Sequence, residues 1–234
     1  MTESTEKCNC EETVRVPLIG DKAPAFKATT TQGPMNFPED YAGKWVILFS
    51  HPADFTPVCT TEFITFASLQ EEFRTLNCEL VGVSVDSIHS HIAWLRAIKE
   101  KIEFRGLKNV DVKFPVVADL KMDVAKKYGM IQPNVSDTAA VRAVFFIDPN
   151  SVIRALIYYP ASAGRNFDEI KRLLIALQTA DKNKVATPAD WRPGQPVIVP
   201  APNTIGKAND RVAEAAKAGY DCKDWFLCFK NLSE

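Results

Sequence analysis

The sequence predicts an α/β fold with a mixed central sheet and a C-terminal extension. Three features carry that prediction. Apolar runs of strand length, at 44–50, 79–86 and 142–148, alternate with stretches of helical periodicity. The alternation closes on two adjacent strand-like runs, 142–148 and 151–159, joined by Pro-Asn, which adds a hairpin to a crossover-connected sheet. Past residue 187 the composition changes: five prolines fall between Thr187 and Pro202, so the chain there is extended and the compact domain has ended. The expected organisation is a mobile tail at 1–13, a domain at 14–186 and an arm at 187–234.

The folded part begins near Leu18. Residues 23–31 read as short strands or extended chain, and Gln32-Gly-Pro34 gives a turn. The apolar run Lys44–Ser50 is a buried strand. A loop with Pro52 follows, then a helix from about Pro57 to Asn77, with Thr56 placed as N-cap and Pro57 in the first turn. Glu79–Asp86 is the next strand, and Ser90–Lys101 a helix whose apolar face carries Ile92, Leu95 and Ile98. Phe114–Asp119 reads as a short strand, and Met122–Tyr128 as a helix stopped by Gly129. The hairpin follows, then an amphipathic helix from Asn166 to Thr179. In the arm, an Ala-rich helix at Lys207–Ala218 stops at Gly219, and the tail 220–229 is rich in aromatic residues that are costly to leave in water, so 187–234 is expected to be a dimerisation arm that packs on a partner subunit, the alternative being its own domain.

Cys59 is the third residue of the helix that Pro57 opens. Its sulfur therefore lies near backbone N–H groups that lack intrahelical partners, at the positive end of the helix dipole. That position stabilises a thiolate, the reactive form of cysteine. The local pattern is equally that of a buried structural Cys at a helix start.

Composition removes several classes. A formal charge of −1 argues against a general nucleic-acid binder. No apolar stretch approaches the roughly 20 residues of a membrane span. The first residues lack the basic-then-apolar layout of a secretory signal. Six cysteines (8, 10, 59, 78, 222 and 228) are scattered through a chain with a full apolar complement, which fits redox-active thiols in a reducing cytoplasm better than a secreted disulfide scaffold. Cys8-Asn-Cys10 lacks the usual zinc-site spacing, and reads as a pair of exposed tail thiols with no metal expected.

The residues around Cys59 separate the two readings of it. The run from Ser50 to Glu62, Ser-His-Pro-Ala-Asp-Phe-Thr-Pro-Val-Cys-Thr-Thr-Glu, resembles the active-site segment of peroxiredoxins. Pro52, Thr56 and Cys59 fall in the family's P-x-x-x-T-x-x-C spacing, and the Ser-His-Pro opening is similar to the one-Cys (peroxiredoxin 6-type) subfamily. The resemblance continues through Arg142 and Arg165 to Thr187-Pro-Ala-Asp-Trp191. It implies a thioredoxin-like fold, no cofactor, and a thiol peroxidase acting on hydrogen peroxide and organic hydroperoxides.

Such chemistry needs a thiolate that attacks one peroxide oxygen in line, donors for the oxygens, and positive charge where the leaving oxygen develops. Cys59 supplies the sulfur. The Thr56 hydroxyl and the backbone N–H groups of Val58 and Cys59 supply donors, and Pro52 shields the pocket. By resemblance Arg142 is the active-site Arg that favours the thiolate and holds peroxide, a role suited to a permanently charged guanidinium. Arg165 matches a second Arg that braces the site; its plain alternative is a helix-start Arg paired with Asp168 or Glu169. His51 matches a one-Cys-type His, or is a hydrogen-bonded core His. His89 and His91 have no identifiable partner, and Cys78 reads as buried.

The tail departs from the animal one-Cys pattern and looks like the C-terminal pair of archaeal-type peroxiredoxins. By resemblance Cys228 of the partner subunit resolves the Cys59 sulfenic acid, and Cys222 then exchanges with it to give a Cys222–Cys228 bond. A helix would put the two on different faces, so the tail is expected to be irregular or to rearrange. The alternative is direct reduction of Cys59 by an external thiol, of thioredoxin type or glutathione. The resemblance also implies a homodimer at least, and rings of dimers up to a homodecamer. Two other classes differ from this one in what they require. A thioredoxin-type electron carrier needs Cys-x-x-Cys, but Thr60, Thr61 and Glu62 follow Cys59. An oligomeric chaperone or redox-signalling role with low turnover stays open to a peroxide-consumption assay. No Gly-x-Ser-x-Gly elbow occurs, so no lipase activity is expected.

Overall fold

The computed structural model describes residues 16–215 and 217–232, so the expected tail at 1–13, with Cys8 and Cys10, lies outside the described residues. Contacts divide the chain into two units that meet between Arg165 and Asn166, ahead of the proline-rich change in composition.

The first unit holds a seven-stranded sheet in the order β2-β1-β5-β4-β3-β6-β7. Its strands are β1 (Phe26–Thr30), β2 (Gly33–Phe37), β3 (Trp45–Ser50), β4 (Cys78–Ser84), β5 (Val116–Ala118), β6 (Arg142–Ile147) and β7 (Ile153–Tyr159). The β3–β4 and β4–β5 pairs are parallel, and β1–β2, β1–β5, β3–β6 and β6–β7 are antiparallel, so the sheet is mixed. Helix α1 (Pro57–Thr75) makes the crossover from β3 to β4, and α2 (Ile88–Lys101) that from β4 to β5. Short helix α3 (Asp123–Lys127) follows β5.

Every residue of β3 and β6 is buried, as the central strands of a two-sided sheet must be. Alternate residues face opposite layers. Val46, Leu48, Ala143, Phe145 and Ile147 enter one core with Phe26, Phe37 and Tyr128. On the other face, Phe49 stacks on Phe66 with centroids 4.1 Å apart and meets Phe63 and Phe114 edge-on. Gly82 of β4 belongs to this packing, because a Cβ there would stand 3.4 Å from the rings of both Phe49 and Phe63.

Several element boundaries differ from expectation. Helix α2 starts at Ile88, because Ser87 caps it by accepting from the Ser90 N–H at 3.1 Å. Its buried face is His91, Trp94 and Ile98, whereas Ile92 is exposed. The strand expected at Phe114–Asp119 shortens to β5, and the helix expected at Met122–Tyr128 to α3. Gly129 does end α3, at φ +64 and with no room for a Cβ beside Val16.

The second unit opens with α4 (Phe167–Asn183), capped by the Asn166 side chain, which accepts from the Glu169 N–H. The helix runs past the expected Thr179 to a left-handed Lys184. A small core joins Ala176, Val185, Trp191 and Val197. The proline-rich segment is not wholly extended coil: it contains β8 (Val197–Val199). That strand joins β9 (Asp221–Asp224) and β10 (Leu227–Lys230) in a sheet ordered β8-β10-β9. Helix α5 is Ile205–Glu214, starting and ending earlier than expected. The tail is a β-hairpin whose register shifts between Leu227 and Cys228, so the expected irregularity is one local break in a ladder. Its antiparallel register sets Cys222 opposite Cys228, and a disulfide joins them, with Cα atoms 3.9 Å apart. No helix among the described residues is long and apolar enough to cross a membrane.

Candidate active site

The site forms where β3 ends, α1 begins and β6 begins, the three elements that the sheet order sets side by side. Ser50 closes β3 and is fully buried. Its hydroxyl donates to the Val141 carbonyl at 2.6 Å and accepts from the Ala143 N–H at 3.0 Å. Those two bonds clamp the end of β3 to the start of β6, where Arg142 stands.

The loop at 51–56 then turns into α1. Thr56 is the N-cap residue, with extended backbone (φ −101, ψ 147), but its side chain does not cap the helix. Its hydroxyl donates instead to the Ala53 carbonyl at 2.8 Å, which closes the loop on itself. Pro52 is half-buried in this loop, and Phe55 holds a left-handed backbone (φ 57) with its ring in solvent. Cys59, third in the helix, is fully buried and free. In the first turn the N–H groups of Val58 and Cys59 have no carbonyl four residues back to bond.

The Arg142 Nη1 atom lies 3.2 Å from the Cys59 sulfur. The same nitrogen donates to Glu62 Oε2 at 2.8 Å, while Nε and Nη2 donate to the Ala161 carbonyl at 3.2 and 2.8 Å. Glu62 is also the anchor of Arg165, which donates to it from its backbone N (2.9 Å), Nε (3.1 Å) and Nη2 (2.7 Å). Arg165 Nη1 reaches the Ser50 and Ala143 carbonyls, at 3.0 and 3.2 Å, and its guanidinium stacks over Phe49 and Phe66. Arg165 thus braces the site through Glu62 and does not pair with Asp168 or Glu169 in the way its position at a helix start suggested.

Both arginines and the glutamate are almost wholly buried. Burial pushes the Glu62 carboxyl up, but the Arg165 charge and hydrogen bonds, with the Arg142 charge, outweigh it and hold the group below its ordinary value. Glu62 is therefore ionised at neutral pH. Two guanidinium cations share this one carboxylate, which leaves net positive charge beside the Cys59 sulfur. A buried cation is costly unless an opposite charge balances it.

A second buried cluster adjoins the loop. His51 Nε2 lies 2.9 Å from Asp54 Oδ1, and His91 Nδ1 lies 2.8 Å from Asp54 Oδ2. His91 Nε2 meets the Val117 carbonyl at 3.2 Å, and the Asp54 N–H donates to Asp86 Oδ2 at 3.0 Å. His91 thus has partners that its sequence position did not reveal. Burial pushes the His51 imidazole down, against the pull of Asp54. Asp54 is pushed up by burial, but the bonds from His51 and His91 win and hold it at about 2. The nearest nitrogen and oxygen atoms of His51, Asp54 and His91 lie within 4.8 Å of one another, which makes these residues the one grouping among those described that could ligate a metal. Asp54 bridges the two imidazoles, but His51 Nδ1 is buried without a hydrogen-bond partner.

The structure brings Cys59, Arg142 and Arg165 together around Glu62, a residue that sequence reasoning passed over. A signal for it existed: Glu62 lies one helical turn after Cys59, on the same face of α1, and a carboxylate that is buried needs cations. Cys78, the other free cysteine among the described residues, is buried at the start of β4, where burial pushes its thiol up. Cys222 and Cys228 belong to the second unit, in the hairpin described above.

Comparison with known proteins gives a family. A profile of the AhpC/TSA family matches residues 19–156, and one for the C-terminal domain of 1-Cys peroxiredoxin matches residues 176–214. A Methanosarcina mazei protein named peroxiredoxin is 62% identical over 215 residues, covering 92% of this chain and 98% of that one. A solved structure of the yeast mitochondrial 1-Cys peroxiredoxin, whose thiol is resolved via glutathione/thioredoxin systems, matches with a TM-score of 0.78. Its identity is 38%, over 92% of this chain and 99% of that one. A cysteine-to-serine mutant of the peroxiredoxin 6 of Arenicola marina matches at 0.80 with 32% identity, over 93% and 99% of the two chains.

Proposed function

Since this chain belongs to the peroxiredoxin family of thiol-dependent peroxidases, we propose that Cys59 is its peroxide-reducing thiol and that a C-terminal cysteine resolves the product. The observation that carries the reading is the pair of buried arginines sharing Glu62 beside the Cys59 sulfur.

The Cys59 thiolate attacks the nearer oxygen of hydrogen peroxide or a small organic hydroperoxide. An S–O bond forms, the O–O bond breaks, and the departing hydroxide or alkoxide takes a proton to leave as water or alcohol. Cys59 becomes a sulfenic acid. Arg142 holds its charge where the leaving oxygen develops, and it is fixed there by Glu62 and the Ala161 carbonyl. The unpaired N–H groups of the first helical turn and the Thr56 hydroxyl are the other polar groups available to the peroxide. Pro52 covers the loop side of the pocket. Arg165 acts through Glu62, and His51 serves as a buried support of the loop.

Resolution follows by thiol attack on the sulfenic sulfur, with loss of water. Cys228 of the partner subunit is the first choice, giving a Cys59–Cys228 bond. Cys222 then attacks the Cys228 sulfur, which frees Cys59 and leaves the Cys222–Cys228 bond that the hairpin register favours. An external thiol, of thioredoxin type or glutathione, closes the cycle. The working assembly is a homodimer or a ring of dimers up to a decamer, in the cytoplasm.

A non-reducing gel after one equivalent of peroxide tests the resolving step. A transient covalent dimer is expected in the wild type, none in Cys59→Ser and little in Cys228→Ser, whereas Cys222→Ser, which lacks the thiol that frees Cys59, should accumulate it. Wild-type turnover by Cys222→Ser/Cys228→Ser with a thioredoxin-type reductant would overturn the resolving role and leave a one-Cys enzyme.

A further inference from the structure

His51, Asp54 and His91 form a buried array that the peroxide chemistry above uses only through His51. We propose that His91 is a positioning residue of the peroxidase reaction: as an imidazolium paired with Asp54, it holds His51 neutral, protonated on Nε2 and bare on Nδ1, and so fixes the loop that carries Pro52 and Thr56 toward Cys59. The kinetic consequence rests on the reading of Cys59 given above; the geometry does not.

The fold gathers this array at the carboxyl ends of the parallel strands β3, β4 and β5. His51 follows β3, Asp86 lies just beyond β4, and His91 stands near the start of α2 with its Nε2 facing the Val117 carbonyl of β5 at 3.2 Å. Asp54 joins them. It meets His51 through Oδ1 and His91 through Oδ2, and its N–H donates to Asp86. The separations of 2.9 and 2.8 Å are those of hydrogen bonds, whereas two ligand atoms on one tetrahedral zinc stand about 3.3 Å apart. Protons bridge the array.

Hydrogen-bond roles then assign those protons. An ionised carboxylate and a carbonyl accept and never donate. Asp54 is ionised at neutral pH, so both nitrogens that face it, His51 Nε2 and His91 Nδ1, are donors. The other nitrogen of His91 faces a carbonyl and is a donor too, and an imidazole with two N–H groups is a cation. His51 differs, because its Nδ1 is buried with no partner. A proton there would be a buried donor without an acceptor, which is costly. One histidine is thus charged, the other neutral, and Asp54 balances the charged one.

The charged groups facing His51 are Asp54 of its own loop, Asp86 beyond β4 and His91 of α2; α1 and α2 otherwise present the rings of Phe63 and Trp94. Burial pushes the His51 imidazole down, and His91 pushes it the same way against Asp54 and Asp86. Removing the His91 charge therefore lets His51 take a second proton at higher pH, and that proton has no acceptor in the loop. The same loop sets the Thr56 hydroxyl against the Ala53 carbonyl and leads into the first turn of α1. A displacement of about 1 Å at such a place costs on the order of 10² in rate.

One test reads the protons directly in reduced wild-type protein. The chain has three histidines, so isotope-labelled imidazole nitrogens are assigned by NMR with His89→Gln and His91→Gln. At pH 7 both nitrogens of His91 are expected to carry protons, and His51 only Nε2. A neutral His91, or a proton on His51 Nδ1, overturns the proposal. The second test is the pH profile of kcat/KM for hydrogen peroxide in His91→Gln, which keeps a donor for Asp54 but no charge. A fall of about 10- to 100-fold is expected at pH 7, recovering as the pH rises, because the acid limb moves up with the His51 proton. A profile parallel to that of wild type at every pH, at full or lowered rate, overturns the positioning role. Failure of the Cys59 reading shows separately, as peroxide consumption by Cys59→Ser at the wild-type rate, and leaves the proton assignment to the NMR result.

Discussion

Replacing Glu62 by Gln removes the one negative charge that Arg142 and Arg165 share. The glutamate accepts Arg142 Nη1 at 2.8 Å and three Arg165 donors at 2.7–3.1 Å. A glutamine offers one carbonyl oxygen and an NH₂ group that would face guanidinium N–H groups, so donors are left without acceptors. Two cations would also stay buried without a counter-charge. Breaking a buried ion pair in this way costs about 3–5 kcal/mol, out of the ~5–15 kcal/mol that holds a typical domain together. Urea unfolding of the reduced protein at pH 7 should show the midpoint falling by that amount with the slope unchanged. The loss depends on pH in a definite direction. Since the folded Glu62 carboxyl lies below its ordinary 4.5, its stabilisation is complete above that pH and disappears as the pH falls through the folded value. Wild type and Glu62→Gln should therefore converge in acid. A variant within about 1 kcal/mol of wild type at pH 7, the range of exposed ion pairs, would refute the claim that Glu62 is the keystone of the site.

Two further outcomes follow from the same geometry. Arg142→Lys keeps the charge but cannot bond Cys59, Glu62 and the Ala161 carbonyl at once, so kcat/KM for hydrogen peroxide should fall about 10²- to 10³-fold, the scale of losing a fixed transition-state donor; stopped-flow peroxide consumption reads it. Asp54 is 6% exposed and held at about 2 against its ordinary 3.8, so its two histidine bonds contribute about 2 kcal/mol above pH 4, lost as the pH falls toward 2. Asp54→Asn should lose that much at pH 7 in urea unfolding, and the difference from wild type should close as the pH falls through about 2.

The sequence disclosed those parts of the structure whose causes are local. The apolar run into Ser50, the Thr56-Pro57 start and the position of Cys59 are set by neighbours within a few residues, and all are found where expected. The face of α2 was misread because the apolar Ile92 is exposed. What fixes that helix is the bond from His91 to Asp54 and the burial of Trp94, both contacts with distant chain. Glu62 was missed for a related reason: the two arginines that permit its burial come from β6 and from the residue before Asn166. The tail hairpin went unread because its two-residue turn is Trp225-Phe226, without the Asn or Gly that marks such turns in a sequence. Its register, once formed, brings Cys222 and Cys228 together across strands where a helix would have kept them apart.

The central claim is that Cys59 is the sulfur that meets peroxide. One equivalent of hydrogen peroxide is added to fully reduced wild-type protein in the presence of dimedone, and every cysteine is then resolved by peptide mass mapping. The account predicts the sulfenic-acid adduct on Cys59 alone, with Cys78 unmodified in its buried place on β4. An adduct mainly on any other cysteine, or peroxide consumed at the wild-type rate by Cys59→Ser, would contradict it.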